Sequence, residues 1–258
     1  MEDADRGVQV FRVASPCLGQ TCRVDVLLPN EIKASRTYRT LYVLTVGGEW
    51  AANPPWGNGL TELHKLDAHN RYRLICVSMD FDTVAWYGSH ATNPRIRHDE
   101  HLIAVVVPLV EERYPVSRRP SDRLLIGFSK SGWGAVSLLL RHPEFFGSAC
   151  SWDAPMMLDE TSLRWGSQEH FGTAEQAAAY APAHLVGKQA EHFVGKPVRL
   201  AIVGHDYFGQ DVGRFHDLLE THRVPHRFDN SLRHKHGWES GWLPKALAIM
   251  LGARLPEE

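Results

Sequence analysis

Short, nearly uniform apolar runs alternate with segments of helical period along most of the chain. "TLYVLTV" (40–46), "YRLICVSMD" (72–80), "DRLLIGFS" (122–129), "FGSACSW" (146–152) and "PVRLAIVG" (197–204) are strand-length. Apolar residues on both faces of a strand mean that both faces of its sheet are covered. Between these runs, helices are predicted near 59–69, over "RHDEHLIAVVVPLVEERY" (97–114), over "KSGWGAVSLLLRHPEFF" (130–146) and over "GQDVGRFHDLLETH" (209–222). The second carries acids early and an arginine late, as the helix dipole favours. "PHRFDNS" (225–231) reads as a last strand and "SGWLPKALAIMLGAR" (240–254) as the closing helix. At the other end, "GVQVFRVAS" and "TCRVDVLLP" flank the turn-like "PCLGQ" and predict an antiparallel hairpin. Strands alternating with helices give an α/β domain with a mostly parallel sheet. Residues 153–196 are the least regular stretch and read as a cap or insertion within one domain, 1–258.

Composition narrows the function classes. The 258 residues carry a net charge of −2, which gives no footprint for nucleic acid or an anionic membrane. No apolar run reaches the length of a membrane span. "MEDADRGVQVFRV" has neither the basic nor the apolar region of a secretory signal, so a cytoplasmic location is expected, with a removed signal left open. The four cysteines are too few for a disulfide scaffold. Cys17 and Cys22 flank a turn and could be bridged, but free thiols are the expected state.

Chemistry in such sheets gathers beyond the C-terminal strand ends. There, "GFSKSGWGA" (127–135) places two serines between an apolar strand and an Ala/Leu-rich helix. In a strand-to-helix nucleophile elbow, the residues two before and two after the serine must be small. Ser129 has Gly127 and Ser131 there, whereas Ser131 would have Trp133. Ser129 is therefore the candidate nucleophile, and the Lys130 amide, at the helix start, is a candidate oxyanion donor.

A serine hydroxyl needs a general base that is itself oriented by an acid. The chain order expected for this fold is Ser, acid, His, with the acid after the next-to-last strand and the histidine after the last. "RLAIVGHD" puts Asp206 in the acid's slot, with Asp211 and Asp229 as rivals. "LRHKHGW" offers His234 or His236 as the base. The H-x-H pair lacks an evident third ligand, so neither a metal nor any other cofactor is expected.

Taken together, these residues resemble the esterase D-like branch of the α/β-hydrolases over about residues 22–250. "GFSKSGWGAVSLLLRHPEFFGSA" is similar to that family's elbow, and "WYG" (86–88) with "RHDEHLIAVVVPLVEERYPV" to the stretch before it. "HGWESGW" is similar to the family's H-x-W-x-x-W, which favours His236 over His234. The resemblance implies an α/β-hydrolase fold and a serine hydrolase cleaving a small-molecule ester or thioester through an acyl-enzyme. An acyltransferase and a non-catalytic binding protein are the alternatives, and a homodimer is left open. It also implies a second oxyanion amide after "YVLTV", near Gly47, although Thr45-Val46 replaces the family's His-Gly. Gly48, Trp50, Trp86, Tyr87 and Trp152 are expected along the substrate pocket.

Overall fold

The computed structural model describes residues 7–47, 49 and 54–252. Gly48 and Trp50, both expected at the pocket, lie outside the described residues. The N-terminal hairpin forms as predicted from β1 (Val8–Ser15) and β2 (Gln20–Leu27), paired antiparallel over their full length. The sheet continues with β3 (Arg39–Val43), β4 (Leu74–Met79), β5 (Arg123–Phe128), β6 (Ser148–Trp152), β7 (Leu200–His205) and β8 (His226–Arg233). Its spatial order is β1-β2-β4-β3-β5-β6-β7-β8, and every pair from β4 through β8 is parallel. This is the α/β-hydrolase fold. β4 and β5 are buried at every position, which is why their sequences run apolar without alternation.

The flanking helices are α1 (Gly59–Lys65), α2 (Ala68–Arg71), α3 (His98–His101), α4 (Val107–Arg113), α5 (Ser129–Arg141), α6 (Ser167–Phe171), α7 (Ala174–Tyr180), α8 (Pro182–Gln189), α9 (Gly209–Thr221) and α10 (Leu243–Leu251). The helix predicted near 59–69 is split where Asp67 takes a left-handed φ of 52°. The one predicted over 97–114 contains a π turn at Leu102–Val106, just ahead of Pro108. A proline cannot donate its backbone bond and crowds the preceding turn, and widening that turn accommodates it within a continuous helix.

Two apolar cores cover the two faces of the sheet. Segment 153–196 is divided between roles. Leu185 and Val186 of α8 join the larger core, while Leu158, Phe171 and Ala177 close a small cluster around Trp86 and Trp133. Arg141, at the end of α5, clamps this region. It donates to Asp99 at 2.7 Å and to the Tyr87 carbonyl at 2.8 Å, and its guanidinium lies over the Tyr180 ring. The four cysteines are free and buried, as expected for the Cys17–Cys22 turn.

Candidate active site

Ser129 follows β5 at the centre of the sheet and opens α5 with φ of 53°, a left-handed conformation that a non-glycine residue adopts only under constraint. The constraint is local. A Cβ on Gly127 would come within 2.4 Å of the Ser131 backbone, and one on Gly132 within 2.5 Å of Ser151 Oγ. Only glycine lets strand and helix approach so closely. Ser131 does more than remain small. Its hydroxyl accepts from the Phe128 amide at 3.1 Å and donates to the Phe128 carbonyl at 2.9 Å, tying the turn shut. Trp133 is fully buried against Trp86, so the indole that excluded Ser131 as nucleophile anchors the helix.

His236 follows β8 and lines the same cavity as Ser129, a cleft of about 640 Å³. Its Nδ1 meets Asp153 Oδ2 at 2.6 Å. Asp153 lies just after β6, has φ of 40°, and is fully buried. Burial alone would raise its carboxyl. Hydrogen bonds from His236 and from the Tyr207 and Phe208 amides (3.2 and 2.8 Å) outweigh that and hold it below the usual aspartate range. The Ser129 amide in turn donates to the Asp153 carbonyl, so acid and elbow are fixed to each other.

Asp206, the expected acid, is placed differently. It accepts from the backbone amide of His236 at 2.8 Å and so holds the histidine's loop, while the imidazole faces Asp153. The reason lies in β7, where the register with β8 shifts between Val203 and His205 around Gly204, whose φ is 69°. A bulge re-aims the residues that follow it. Of the rivals, Asp211 accepts from the Met157 amide and Asp229 pairs with Lys245. His234 is half-buried near Gly241.

The loop after β3 holds a residue that sequence reasoning passed over. Glu49 is buried, and its carboxylate accepts from the amides of Val46 and Gly47, the latter at 2.8 Å. The amide expected as the second oxyanion donor is thus already occupied. Burial pushes the Glu49 carboxyl up to about 7, despite those hydrogen bonds. The Lys130 side chain lines the cavity, and burial lowers its ammonium pKa, partly offset by the Glu49 charge. Thr45, which departs from the resembled pattern, is tied down. Its hydroxyl donates to the Met79 carbonyl, and its own carbonyl accepts from the Tyr87 hydroxyl.

Three aromatic residues expected in the pocket lie in the interior instead. Trp86 packs edge-on against Trp133, Tyr87 braces Thr45, and Trp152 stacks on Trp242 at 5.3 Å, each fully buried. The pocket's aromatic wall comes from Trp56, Trp165, Tyr207 and Phe208, of which Trp56, Tyr207 and Phe208 surround the His236 ring. Pro155, Met157 and Leu158 complete it from the segment after β6.

With this geometry in view, residues 15–237 match the family described as putative esterase. The chain belongs to the putative esterase family. Two Mycobacterium tuberculosis proteins, Esterase MT1326 (strain CDC 1551 / Oshkosh) and Esterase Rv1288 (strain ATCC 25618 / H37Rv), are each 28% identical to it over 152 residues. That match takes in 57% of this chain and 32% of either relative, so the aligned part spans about a third of their length. Among solved structures, the substrate-bound fluorophosphonate-binding serine hydrolase FphF of Staphylococcus aureus superposes with a TM-score of 0.76 at 20% identity, covering 95% of this chain and 97% of that one. The S-formylglutathione hydrolase FrmB of the same organism gives 0.71 at 19% identity, with the same coverage. At these identities the likeness concerns the fold. Among the described residues, no helix is long and apolar enough to cross a membrane.

Proposed function

We propose that this esterase-family chain is a serine hydrolase that cleaves a small-molecule carboxylic ester or thioester through an acyl-enzyme on Ser129. The observation that carries the reading is the 2.6 Å contact between His236 and the buried Asp153, beside a serine held on a strained elbow in one cavity. His236 takes the Ser129 proton through Nε2 as the hydroxyl oxygen attacks the acyl carbon. It returns that proton to the leaving alkoxide or thiolate. Asp153 accepts from Nδ1–H, fixing the tautomer and stabilising the imidazolium that forms. Water repeats the sequence on the acyl-enzyme and frees the acid. The Lys130 amide stabilises the oxyanion, and the Gly47 amide joins it once the Glu49 carboxylate is protonated or displaced. Asp206 is a positioning residue that holds the His236 backbone. Support also comes from FphF, whose description as a fluorophosphonate-binding serine hydrolase matches this chemistry.

The test is labelling with a fluorophosphonate probe alongside turnover of short p-nitrophenyl esters. Ser129→Ala abolishes labelling, and Asp153→Asn lowers kcat by about 10³ to 10⁴, as loss of a triad acid does elsewhere. Asp206→Asn, which leaves the imidazole contact in place, costs far less. Equal labelling of wild type and Ser129→Ala, or a larger loss in Asp206→Asn than in Asp153→Asn, overturns the assignment.

A further inference from the structure

At the opposite end of the sheet from the cavity, three side chains converge between α9 and β8. His216 and Glu220 stand one helical turn apart on α9, and His226 opens β8 beside Leu200 at the start of β7. One ligand atom from each lies within 4.8 Å of the others. His216 Nδ1 and His226 Nε2 are 2.8 Å apart, and the Glu220 carboxylate is 3.8 Å from His226 Nε2. Metal–ligand bonds of about 2.0–2.2 Å in a tetrahedral site place ligand atoms about 3.3–3.5 Å from one another. The two separations, 2.8 and 3.8 Å, lie on either side of that spacing, and side-chain rotation alone can open the shorter one.

The His226 tautomer favours it as well. His226 Nδ1 faces the Val224 carbonyl at 2.9 Å, and a carbonyl can only accept, so Nδ1 carries the hydrogen. In the neutral ring Nε2 is then bare and directed at the cluster. A carbonyl fixing the far nitrogen of a histidine is the usual outer support of a metal ligand. The His226 side chain is 2% exposed, and His216 lies flat on Phe228 at 3.9 Å, so both rings are pre-positioned. The exposed Glu220 supplies the charge and leaves a fourth position to water.

We infer that His216, Glu220 and His226 form a binding site for one divalent transition metal of the zinc class, which braces α9 against β8. Binding moves the His216 proton from Nδ1 to its other nitrogen, with no net proton release from neutral rings. The donor set, two imidazoles and one carboxylate, suits zinc and disfavours magnesium or calcium. The second convergent group, Asp159, Glu160 and His184, is a poorer host because the Asp159 carboxylate already accepts from Thr161 and Ser162.

The site is tested by titrating metal-free full-length protein with zinc chloride at pH 7.5, by calorimetry and by thermal unfolding. The expected result is one zinc per chain with micromolar or tighter affinity and a melting temperature raised by about 5 °C at saturation. Affinity falls at least tenfold in His226→Asn and in Glu220→Gln, the latter an exposed change that leaves folding intact. His184→Asn retains wild-type binding. The inference is overturned by absence of saturable binding, or by binding that Glu220→Gln and His226→Asn leave unchanged.

Discussion

Glu49 sets two opposing demands on one loop. Its carboxylate organises the Val46 and Gly47 amides, yet in its charged form it holds a negative charge on the amide proposed to meet the oxyanion. With its pKa pushed to about 7, the glutamate is mostly protonated at pH 6 and mostly ionised at pH 9. Glu49→Gln removes the charge at every pH. The ratio of its kcat to that of wild type therefore grows with pH, from near one at pH 6 to several-fold at pH 9. A flat ratio, or one below one throughout, would show that the carboxylate only shapes the loop. Ser131 makes a simpler case. Ser131→Ala loses two hydrogen bonds within the elbow and should cost about 1–3 kcal/mol in denaturant unfolding, with Ser129 still labelled by a fluorophosphonate. Gly127→Ala forces a Cβ into the Ser131 backbone and should prevent stable folding altogether.

The elements that could be read from the sequence are those whose local pattern and tertiary role agree. β4 and β5 are apolar because they are buried on both faces, and the elbow announces itself through Gly127, Ser131 and the helix after it. The aspartate that faces the His236 imidazole was not legible. Asp153 and Asp206 each directly follow a strand, and the register shift around Gly204, invisible in the sequence, lies just ahead of the one that does not face the imidazole. The "SWDAP" stretch, an aspartate at the strand end beside the elbow, was the available signal. The pocket aromatics were misread for a similar reason: loop position does not tell an indole lining a cavity from one buried beneath it, as with Trp152. Nor did chain order show Arg141 reaching Asp99, 42 residues away, to join α5 to α3. Both side chains are about nine-tenths buried, at 12% and 8% exposure. Arg141→Leu leaves Asp99 charged and unpaired, and should lower unfolding free energy by about 3–5 kcal/mol. Asp99→Asn, which keeps an acceptor for the guanidinium and for Ser89, should cost less. Equal losses in chemical denaturation would mean that the charge at Asp99 is irrelevant.

At the scale of the whole molecule, the buried titratable groups pull stability in opposite directions with pH. Glu49 has a folded pKa raised above its ordinary value of 4.5, so the folded state holds its proton more tightly. Its contribution is fully present below pH 4.5 and is lost as pH rises through about 7. The buried histidines act in the reverse sense. Burial lowers His101 to about 4 and His98 well below its ordinary 6.5, and His98 Nδ1 and His101 Nε2 have no hydrogen-bond partner that could support a charge. The unfolded chain therefore binds their protons first, and stability falls as pH drops below 6.5. His142 and His170 are shifted the same way. Between pH 6.5 and 4.5, His98 and His101 oppose Glu49, two groups against one, so stability falls on acidification. The histidines win. Urea unfolding at pH 7, 6 and 5 should show a falling midpoint with proton uptake on unfolding, and His101→Gln should flatten that slope. If the midpoint held constant or rose toward pH 5, the buried imidazoles would have to be charged inside the fold, paired with groups that the packing around Phe81 and Ser15 does not offer.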